Sequence, residues 1–252
     1  MYRVVEVGSF SFPMPTKESN EDSLLLPTND NESNIVFAIA DGVGSLQGAV
    51  QASMCVINAV QSSLLNQEFS TKNAFLKAKE DIDLIASKDE HFQDAATTLT
   101  VVHVLKNKVI IGHIGDCRAY VKKENKLIQL TKDHTRYQEL VDSGEHSTRK
   151  LRLHKERLSS VLTKAVSSHI DLDFDIYEFA LNDLLDGDSV IITLMSDGAH
   201  SHWQKRPKFA TSTMNTPSAF TNSLRRRIEK NPSDDFSCLS IKIEADKKSS
   251  YL

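Results

Sequence analysis

Residues 35–44 form an apolar run that ends in an acidic turn with two glycines, and they read Ile35-Val36-Phe37-Ala38-Ile39-Ala40-Asp41-Gly42-Val43-Gly44. The six apolar residues predict a strand, and the aspartate marks its end. The run at 190–195 leads into Ser196-Asp197-Gly198 in the same way. Two predicted strands therefore each end at an aspartate with a glycine behind it, where a carbonyl or a phosphate can come close.

Similar apolar runs and helical patterns occur along the rest of the chain. The predicted strands are 4–10, 35–40, 97–105, 108–114, 119–122, 170–179, 190–195 and 236–243, and the predicted helices are 47–65, 71–87, 135–143 and 215–230. The pairs Lys106-Asn107 and Glu124-Asn125 lie between strands and predict hairpins, hence antiparallel pairing. The predicted strands follow one another in groups, and the helices come in pairs, without strict alternation of strand and helix. This order favours an α+β fold over a doubly wound parallel sheet.

Length and composition predict one domain with its own core. The chain has 252 residues, of which 40% are hydrophobic, and folding of a chain of this length buries most of the surface that the extended chain exposes. We expect a single domain over 1–245, with a polar surface segment at about 145–160 and a flexible tail at 246–252. A net charge of -4 gives no sign of a partner that is a nucleic acid or an anionic membrane.

Cysteine usage and hydropathy predict a cytoplasmic protein. Cys55, Cys117 and Cys238 are odd in number and far apart, so they fit neither a disulfide framework nor the paired spacing of a zinc site. No apolar run approaches the ~20 residues that a membrane span requires. We therefore expect a soluble protein with reduced thiols.

Four short acidic motifs, far apart in the sequence, are the main functional signal. They are Asn20-Glu21-Asp22, Asp41-Gly42, Ser196-Asp197-Gly198 and Asp234-Asp235. Each alone is typical of a turn, but several carboxylates at one sheet edge need a cation. Carboxylate and carbonyl oxygens suit Mg²⁺ or Mn²⁺ better than zinc. His200 and His202, on a predicted loop, are interpreted as surface residues and not as ligands.

The order of the motifs resembles that of the type 2C metal-dependent protein serine/threonine phosphatases, and the compact length is similar to that of stand-alone bacterial members. The likeness covers nearly the whole chain and includes three further elements. These are Ala95-Ala96-Thr97-Thr98, Gly115-Asp116-Cys117-Arg118 and Leu130-Thr131-Lys132-Asp133-His134-Thr135. The resemblance implies a four-layer αββα sandwich, in which two antiparallel sheets are flanked by helix pairs.

The resemblance also implies a set of metal ligands. Asp41 would bridge two Mn²⁺ or Mg²⁺ ions, Gly42 would give its carbonyl to one ion, and Asp197 and Asp234 would hold the other. Glu21 and Asp22 would bind or orient metal waters. Asp116 would share a third ion with Asp197; the alternative for Asp116 is a turn or a structural pairing with Arg118. We interpret Cys117 as a packing residue and not as a nucleophile.

The expected activity is hydrolysis of phosphoserine and phosphothreonine on proteins by a water that two metal ions activate. Lys17 stands where the family usually has an arginine and is a candidate phosphate ligand; the alternative is a solvated lysine. The competing function is a pseudophosphatase or a phosphoprotein-binding regulatory module with the same fold, for which Lys17 is the main support. A cognate serine/threonine kinase and a monomeric state are also expected.

The segment 145–160 lies where the family has a mobile flap, and it is strongly basic. Its cations are Arg149, Lys150, Arg152, Lys155 and Arg157. Arg149 and Arg152 are candidate docking residues for acidic phosphoprotein segments; the alternative is an ordinary solvated surface. A second basic cluster, Arg225-Arg226-Arg227, carries no aromatic residues between its charges and is a poor nucleic-acid signature.

Overall fold

The computed structural model describes residues 2–44 and 46–245, so the predicted tail at 246–252 lies outside the described residues. The strands are β1 (Tyr2–Phe12), β2 (Asp22–Asn29), β3 (Ile35–Asp41), β4 (Ala96–Thr97), β5 (Leu99–Val104), β6 (Lys108–Ile114), β7 (Arg118–Lys123), β8 (Lys126–Gln129), β9 (Val166–Ser167), β10 (Asp175–Ala180), β11 (Ser189–Met195) and β12 (Phe236–Ala245). The helices are α1 (Ala49–Ser63), α2 (Thr71–Lys88), α3 (Arg136–Asp142), α4 (Thr148–Arg152), α5 (Lys155–Ser159), α6 (Leu181–Leu184), α7 (Asp197–Lys205), α8 (Thr211–Met214) and α9 (Pro217–Ile228).

Two five-stranded sheets and one small ribbon contain these strands. Sheet 1 has the order β1-β12-β11-β7-β8, sheet 2 has the order β10-β6-β5-β3-β2, and β4 pairs with β9. Every pairing in the two sheets is antiparallel. The predicted hairpins at Lys106-Asn107 and Glu124-Asn125 join β5 to β6 and β7 to β8. The α+β class with antiparallel sheets is confirmed.

The sheets lie face to face, and side chains of both fill the space between them. Alternate residues of β3 serve different layers, since successive strand side chains point to opposite faces. Phe37 and Ile39 join the inter-sheet cluster with Ile192 of β11, whereas Val36 and Ala38 pack in the cluster with the helices α1 and α2. This double burial explains why the run at 35–40 is apolar without interruption.

A helix pair covers the outer face of each sheet. Val56 of α1 and Phe75 of α2 belong to the cluster that lies over sheet 2. Trp203 of α7 and Phe220 of α9 belong to the cluster over sheet 1, together with Met195. The layers are therefore helix, sheet, sheet, helix, as the family resemblance implied.

Several elements differ from the sequence-based prediction: short strands and helices such as β8, β9, α4, α5 and α6 were not predicted, and three further differences have clear physical reasons. The strand β2 was not predicted, because Pro27 interrupts its pattern; β2 is an edge strand with a register irregularity between Leu25 and Thr28, which accommodates a proline. The predicted strand 170–179 begins only at Asp175, since Phe174 stacks on Phe75 at 4.4 Å between ring centroids. The third, α7, replaces a predicted loop. Within residues 2–44 and 46–245, none of the helices combines the length and the hydropathy of a membrane span.

Candidate metal centre

Strand register places two of the acidic motifs side by side. Asp22, at the start of β2, is the direct partner of Asp41, at the end of β3. The backbone of Asp41 is fixed from both sides: its N–H donates to the Thr98 hydroxyl at 2.9 Å, and its carbonyl accepts from the Thr98 N–H at 2.8 Å. The Gly42 N–H donates to the Glu21 carbonyl at 3.0 Å. The first two motifs therefore form one rigid edge of sheet 2.

Sheet 1 brings the other two motifs to the same place. Ser196 precedes α7, and its hydroxyl donates to the Asp22 carboxylate at 2.8 Å, so this residue joins the two sheets. The α7 helix then begins at Asp197. A Cβ on Gly198 would lie 2.0 Å from the Asp235 carbonyl, so only glycine lets α7 start against the loop that carries Asp234.

The carboxylates line one cleft of about 430 Å³. Its acidic residues are Glu21, Asp41, Asp116, Asp197 and Asp234, and Gly42 and Thr98 also line it. All the candidate ligands line this cleft except Asp22, which is buried and is not among the lining residues.

Burial and mutual repulsion disfavour the charged forms of these acids. Burial raises the pKa of Asp41 well above its ordinary value, and the Asp22 and Asp197 carboxylates raise it further. Burial, followed by the Asp234 charge, raises the pKa of Asp197 to about 6. The pKa of Asp116 is also raised, first by burial and then by Asp197. A positive charge in the cleft would relieve this repulsion.

The donor set of the cleft suits a hard divalent cation, because its ligand atoms are carboxylate and carbonyl oxygens. In residues 2–44 and 46–245, no three His, Cys, Asp or Glu side chains are already arranged to hold a metal ion. Oδ1 of Asp22 is buried and has no hydrogen-bond partner within the described part of the chain, and burial raises the pKa of this residue to about 7. An all-oxygen set with an unpartnered carboxylate oxygen fits Mg²⁺ or Mn²⁺.

Lys17 reaches into the same cleft and contacts the acids directly. Its Nζ lies 2.6 Å from Glu21 Oε2, 3.0 Å from Asp234 Oδ1 and 3.4 Å from Asp235 Oδ2. Burial opposes the charge, but the hydrogen bonds from Lys17 to Glu21 and Asp234 outweigh it and raise the Lys17 pKa above its ordinary value. The alternative of a freely solvated lysine is therefore wrong.

Asp235 has a structural role that the sequence analysis did not assign. Its side chain is buried, Oδ1 accepts from the Met14 N–H at 2.7 Å, and Oδ2 accepts from the Glu21 N–H at 2.8 Å. Both oxygens thus hold the segment that carries Lys17. The only signal in the sequence was the position of Asp235 beside Asp234.

The Gly-Asp-Cys-Arg element contributes Asp116 to the cleft and uses its arginine elsewhere. Arg118 forms a two-point ion pair with Asp133, in which Nε lies 2.8 Å from Oδ1 and Nη2 lies 2.5 Å from Oδ2. The alternative pairing of Asp116 with Arg118 is therefore not formed. Cys117 is fully buried, accepts from the Thr98 hydroxyl at 3.3 Å, and burial raises its pKa well above the ordinary value. This environment agrees with a packing residue.

The two histidines after Asp197 are buried in α7, so the predicted surface loop is wrong. His200 Nε2 lies 3.2 Å from the Asp116 carbonyl and donates to it, while burial lowers the His200 pKa to about 3. His202 is equally buried, and burial lowers its pKa too. The sequence did not predict this helix, because Gly198 and several polar residues interrupt its apolar pattern. Ala199 and Trp203 form its apolar face.

The predicted docking residues lie outside the cleft. Arg149 and Arg152 of α4 are exposed and do not line it. A neighbouring cavity of about 500 Å³ shares Asp116 and Asp197 with the cleft and is bordered instead by Lys155 of α5. The flap segment thus borders this cavity through α5 and reaches the acidic cleft itself at Ser160.

Comparison with known sequences gives the family. Residues 15–230 match the family described as Protein phosphatase 2C. A putative protein phosphatase of Mycoplasma genitalium is 26% identical over 251 residues, which cover 93% of this chain and 94% of the relative. The serine/threonine phosphatase Stp of Listeria welshimeri is 26% identical over 178 residues, which cover 67% of this chain and 70% of the relative.

Solved structures share the fold. The serine/threonine phosphatase Stp1 of Staphylococcus aureus has a TM-score of 0.78, with 18% identity and 96% of each chain covered. The catalytic domain of the phosphatase PstP, solved in complex with two manganese ions, has a TM-score of 0.71 at 19% identity and covers 96% of this chain and 98% of that chain. With the family match spanning residues 15–230, the chain belongs to the protein phosphatase 2C family, as its motifs predicted.

Proposed function

We propose that this chain hydrolyses phosphoserine and phosphothreonine on proteins with the help of two Mn²⁺ or Mg²⁺ ions. The observation that carries the proposal is the convergence of five acidic side chains on one cleft, from segments that are far apart in sequence. Two relatives are named phosphatases, and a protein of the same fold was solved with two manganese ions.

The residues divide into ion-holding and positioning groups. Asp41 and the Gly42 carbonyl would hold one ion, and Asp197 and Asp234 with Asp41 would hold the other, while Glu21 and Asp22 would bind or orient metal waters. Bound divalent ions lower the pKa of water towards neutrality and offset phosphoryl charge. Asp116 and Asp197 would share a third ion.

The chain itself supplies the rigidity that this chemistry requires. Thr98 fixes the Asp41 backbone, and Ser196 fixes Asp22 against sheet 1. Lys17 lies at the cleft and is the candidate ligand for a phosphate oxygen, as a point charge without the two-point fork of an arginine. We propose phosphorylated proteins as substrates, with a cognate serine/threonine kinase, and a monomeric cytoplasmic enzyme.

The second candidate is a binding module that keeps the fold and holds phosphoproteins without turnover. The observation in its favour is the engagement of Lys17 with Glu21 and Asp234, which reduces its availability to a substrate phosphate. The two functions differ in whether hydrolysis occurs.

Hydrolysis of para-nitrophenyl phosphate in the presence of Mn²⁺ tests the proposal. We expect turnover by the wild type that EDTA abolishes, and a loss of at least about 100-fold in Asp41→Asn, because a bridging carboxylate is removed. Asp188→Asn, at an exposed acid on the loop before β11, serves as the matched control and should keep the wild-type rate. Absence of turnover with both Mn²⁺ and Mg²⁺, with binding of a phosphopeptide retained, would establish the binding module instead.

A further inference from the structure

Lys17 is the one basic side chain among the described residues that line the cleft, where it faces five acids. Its Nζ lies within 3.0 Å of an oxygen of Glu21 and of Asp234. These two residues are candidates for the metal site. A lysine ammonium is a compact charge with three N–H donors, so it satisfies the same carboxylate oxygens that a divalent ion would take.

The surrounding backbone holds Lys17 in this position. The Lys17 N–H donates to the Met14 carbonyl at 2.8 Å, and the Asp235 carboxylate ties down the amides of Met14 and Glu21. A Cβ on Gly44 would lie 2.4 Å from Glu21 Oε2 and 3.4 Å from Lys17 Nζ, so the chain packs closely over the ion pair. The contact is therefore built into the loop and is not a chance encounter of a long surface side chain.

The surroundings make the contact stronger than an ordinary surface ion pair. The Lys17 side chain is 31% exposed and that of Glu21 is 18% exposed, so solvent screens the pair only partly. The neighbouring acids repel one another and gain from any cation at this point. Among the described residues that line the cleft, Lys17 is the group that provides such a cation when no metal is bound.

We propose that Lys17 is a tethered counter-cation, which stabilises the metal-free cleft and which a divalent ion must displace from Glu21 and Asp234. The inference rests on the proposed metal site. Displacement frees the ammonium to turn towards a phosphate, so metal binding precedes phosphate recognition by Lys17. The residue lowers the affinity for metal and at the same time keeps the empty site folded.

Calorimetric titration of metal-free protein with Mn²⁺ tests this role without any measurement of activity. Lys17→Met keeps the length of the side chain and removes the charge, so we expect Mn²⁺ to bind about tenfold more tightly. The melting temperature of the metal-free variant should fall by about 2–4 °C, because the acids lose their counter-charge. Lys17→Gln should shift both quantities in the same directions and is the second variant if Lys17→Met folds poorly.

Lys77→Met is the matched control. Lys77 also pairs with an acid four residues along the chain, at 2.7 Å from Asp81 Oδ1, but it lies on α2, away from the cleft. We expect its Mn²⁺ affinity to equal that of the wild type, and an increase as large as that of Lys17→Met would overturn the inference.

The outcomes separate this inference from the proposed activity. Equal or weaker Mn²⁺ binding by both Lys17 variants would overturn it and leave the phosphatase proposal intact. Tighter binding by the variants would support it even if the wild type hydrolysed no phosphate ester. Failure of the wild type and both variants to bind Mn²⁺ or Mg²⁺ would overturn the proposed metal site and this inference together.

Discussion

Asp234 and Asp235 are neighbours in the chain but have opposite surroundings. The Asp234 side chain is 48% exposed and contacts Lys17, whereas that of Asp235 is 3% exposed and accepts from two backbone amides. A buried carboxylate that is fully hydrogen-bonded stabilises the structure, while one that faces a cleft is available to a ligand. One residue of the pair therefore stabilises the loop, and the other faces the candidate metal centre.

We expect Asp235→Ala to lower the free energy of unfolding by about 2–4 kcal/mol, because the Met14 and Glu21 amides lose charged acceptors in a buried setting. Asp235→Asn keeps one acceptor oxygen and should lose less. Asp188→Ala, at an exposed acid, should change the value by less than about 0.5 kcal/mol. Urea denaturation measures the free energy of unfolding of all three variants. An Asp235→Ala protein as stable as the wild type would contradict a stabilising role for the hydrogen bonds from Met14 and Glu21 to Asp235.

At the scale of elements, local pattern predicted well where burial alone determines the residue types. The strands β3 and β6 and the helix α2 match their predicted ranges to within a residue, since each has a continuous or periodic apolar pattern. The helix α7 was missed because Gly198 is required by the contact with Asp235 and because its two histidines are buried polar groups. Tertiary contacts, which the local sequence does not contain, determined those residues.

In the candidate site, too, some features could be predicted from the sequence and others depend on tertiary contacts. The resemblance to the family implied that Asp41, Asp197 and Asp234 lie together, and in the structure these residues line one cleft although the adjoining strands belong to two different sheets. The ion pair of Arg118 with Asp133 and the contacts of Lys17 depend on side-chain directions between segments that are distant in sequence. No spacing rule gives those directions.

The α4 helix allows a test of substrate docking. In a double variant with Arg149→Glu and Arg152→Glu, we expect the KM for an acidic phosphoprotein to rise about three- to tenfold, because two exposed attractive charges become repulsive. The KM for para-nitrophenyl phosphate should not change, since neither residue lines the cleft. Equal increases for both substrates would show an effect on the site itself and would rule out docking.

At the scale of the whole molecule, the inter-sheet cluster joins all the layers. Residues of β3 and β5 pack there against residues of β11 and β12, and the same strands carry the helices on their outer faces. Loss of one helix layer therefore exposes the outer face of a sheet whose inner face belongs to the inter-sheet cluster. This arrangement predicts that the described domain unfolds as one unit.

Trp203, the single tryptophan of the chain, reports on the layer over sheet 1. Phe75→Ala alters the opposite helix layer, where Phe75 is fully buried and stacks on Phe174. We expect this variant to lose about 3–5 kcal/mol of its free energy of unfolding. The unfolding midpoint should shift equally whether it is measured by Trp203 fluorescence or by far-ultraviolet circular dichroism. A shift in the dichroism midpoint with an unchanged fluorescence midpoint would show that the two halves unfold separately.

The pairing of β1 with β12 determines when sheet 1 can be completed during synthesis of the chain. Among the strands of the described residues, β1 lies at the edge of sheet 1 and pairs with β12, and the hydrogen bond from the Met14 N–H to Asp235 spans 221 residues. At 5–20 residues per second, a ribosome needs about 10–45 s to make the intervening chain. During that interval the nascent β1 has no partner strand and the acids of the cleft have no Asp234, so a truncated translation product would hold neither the finished sheet nor the finished site.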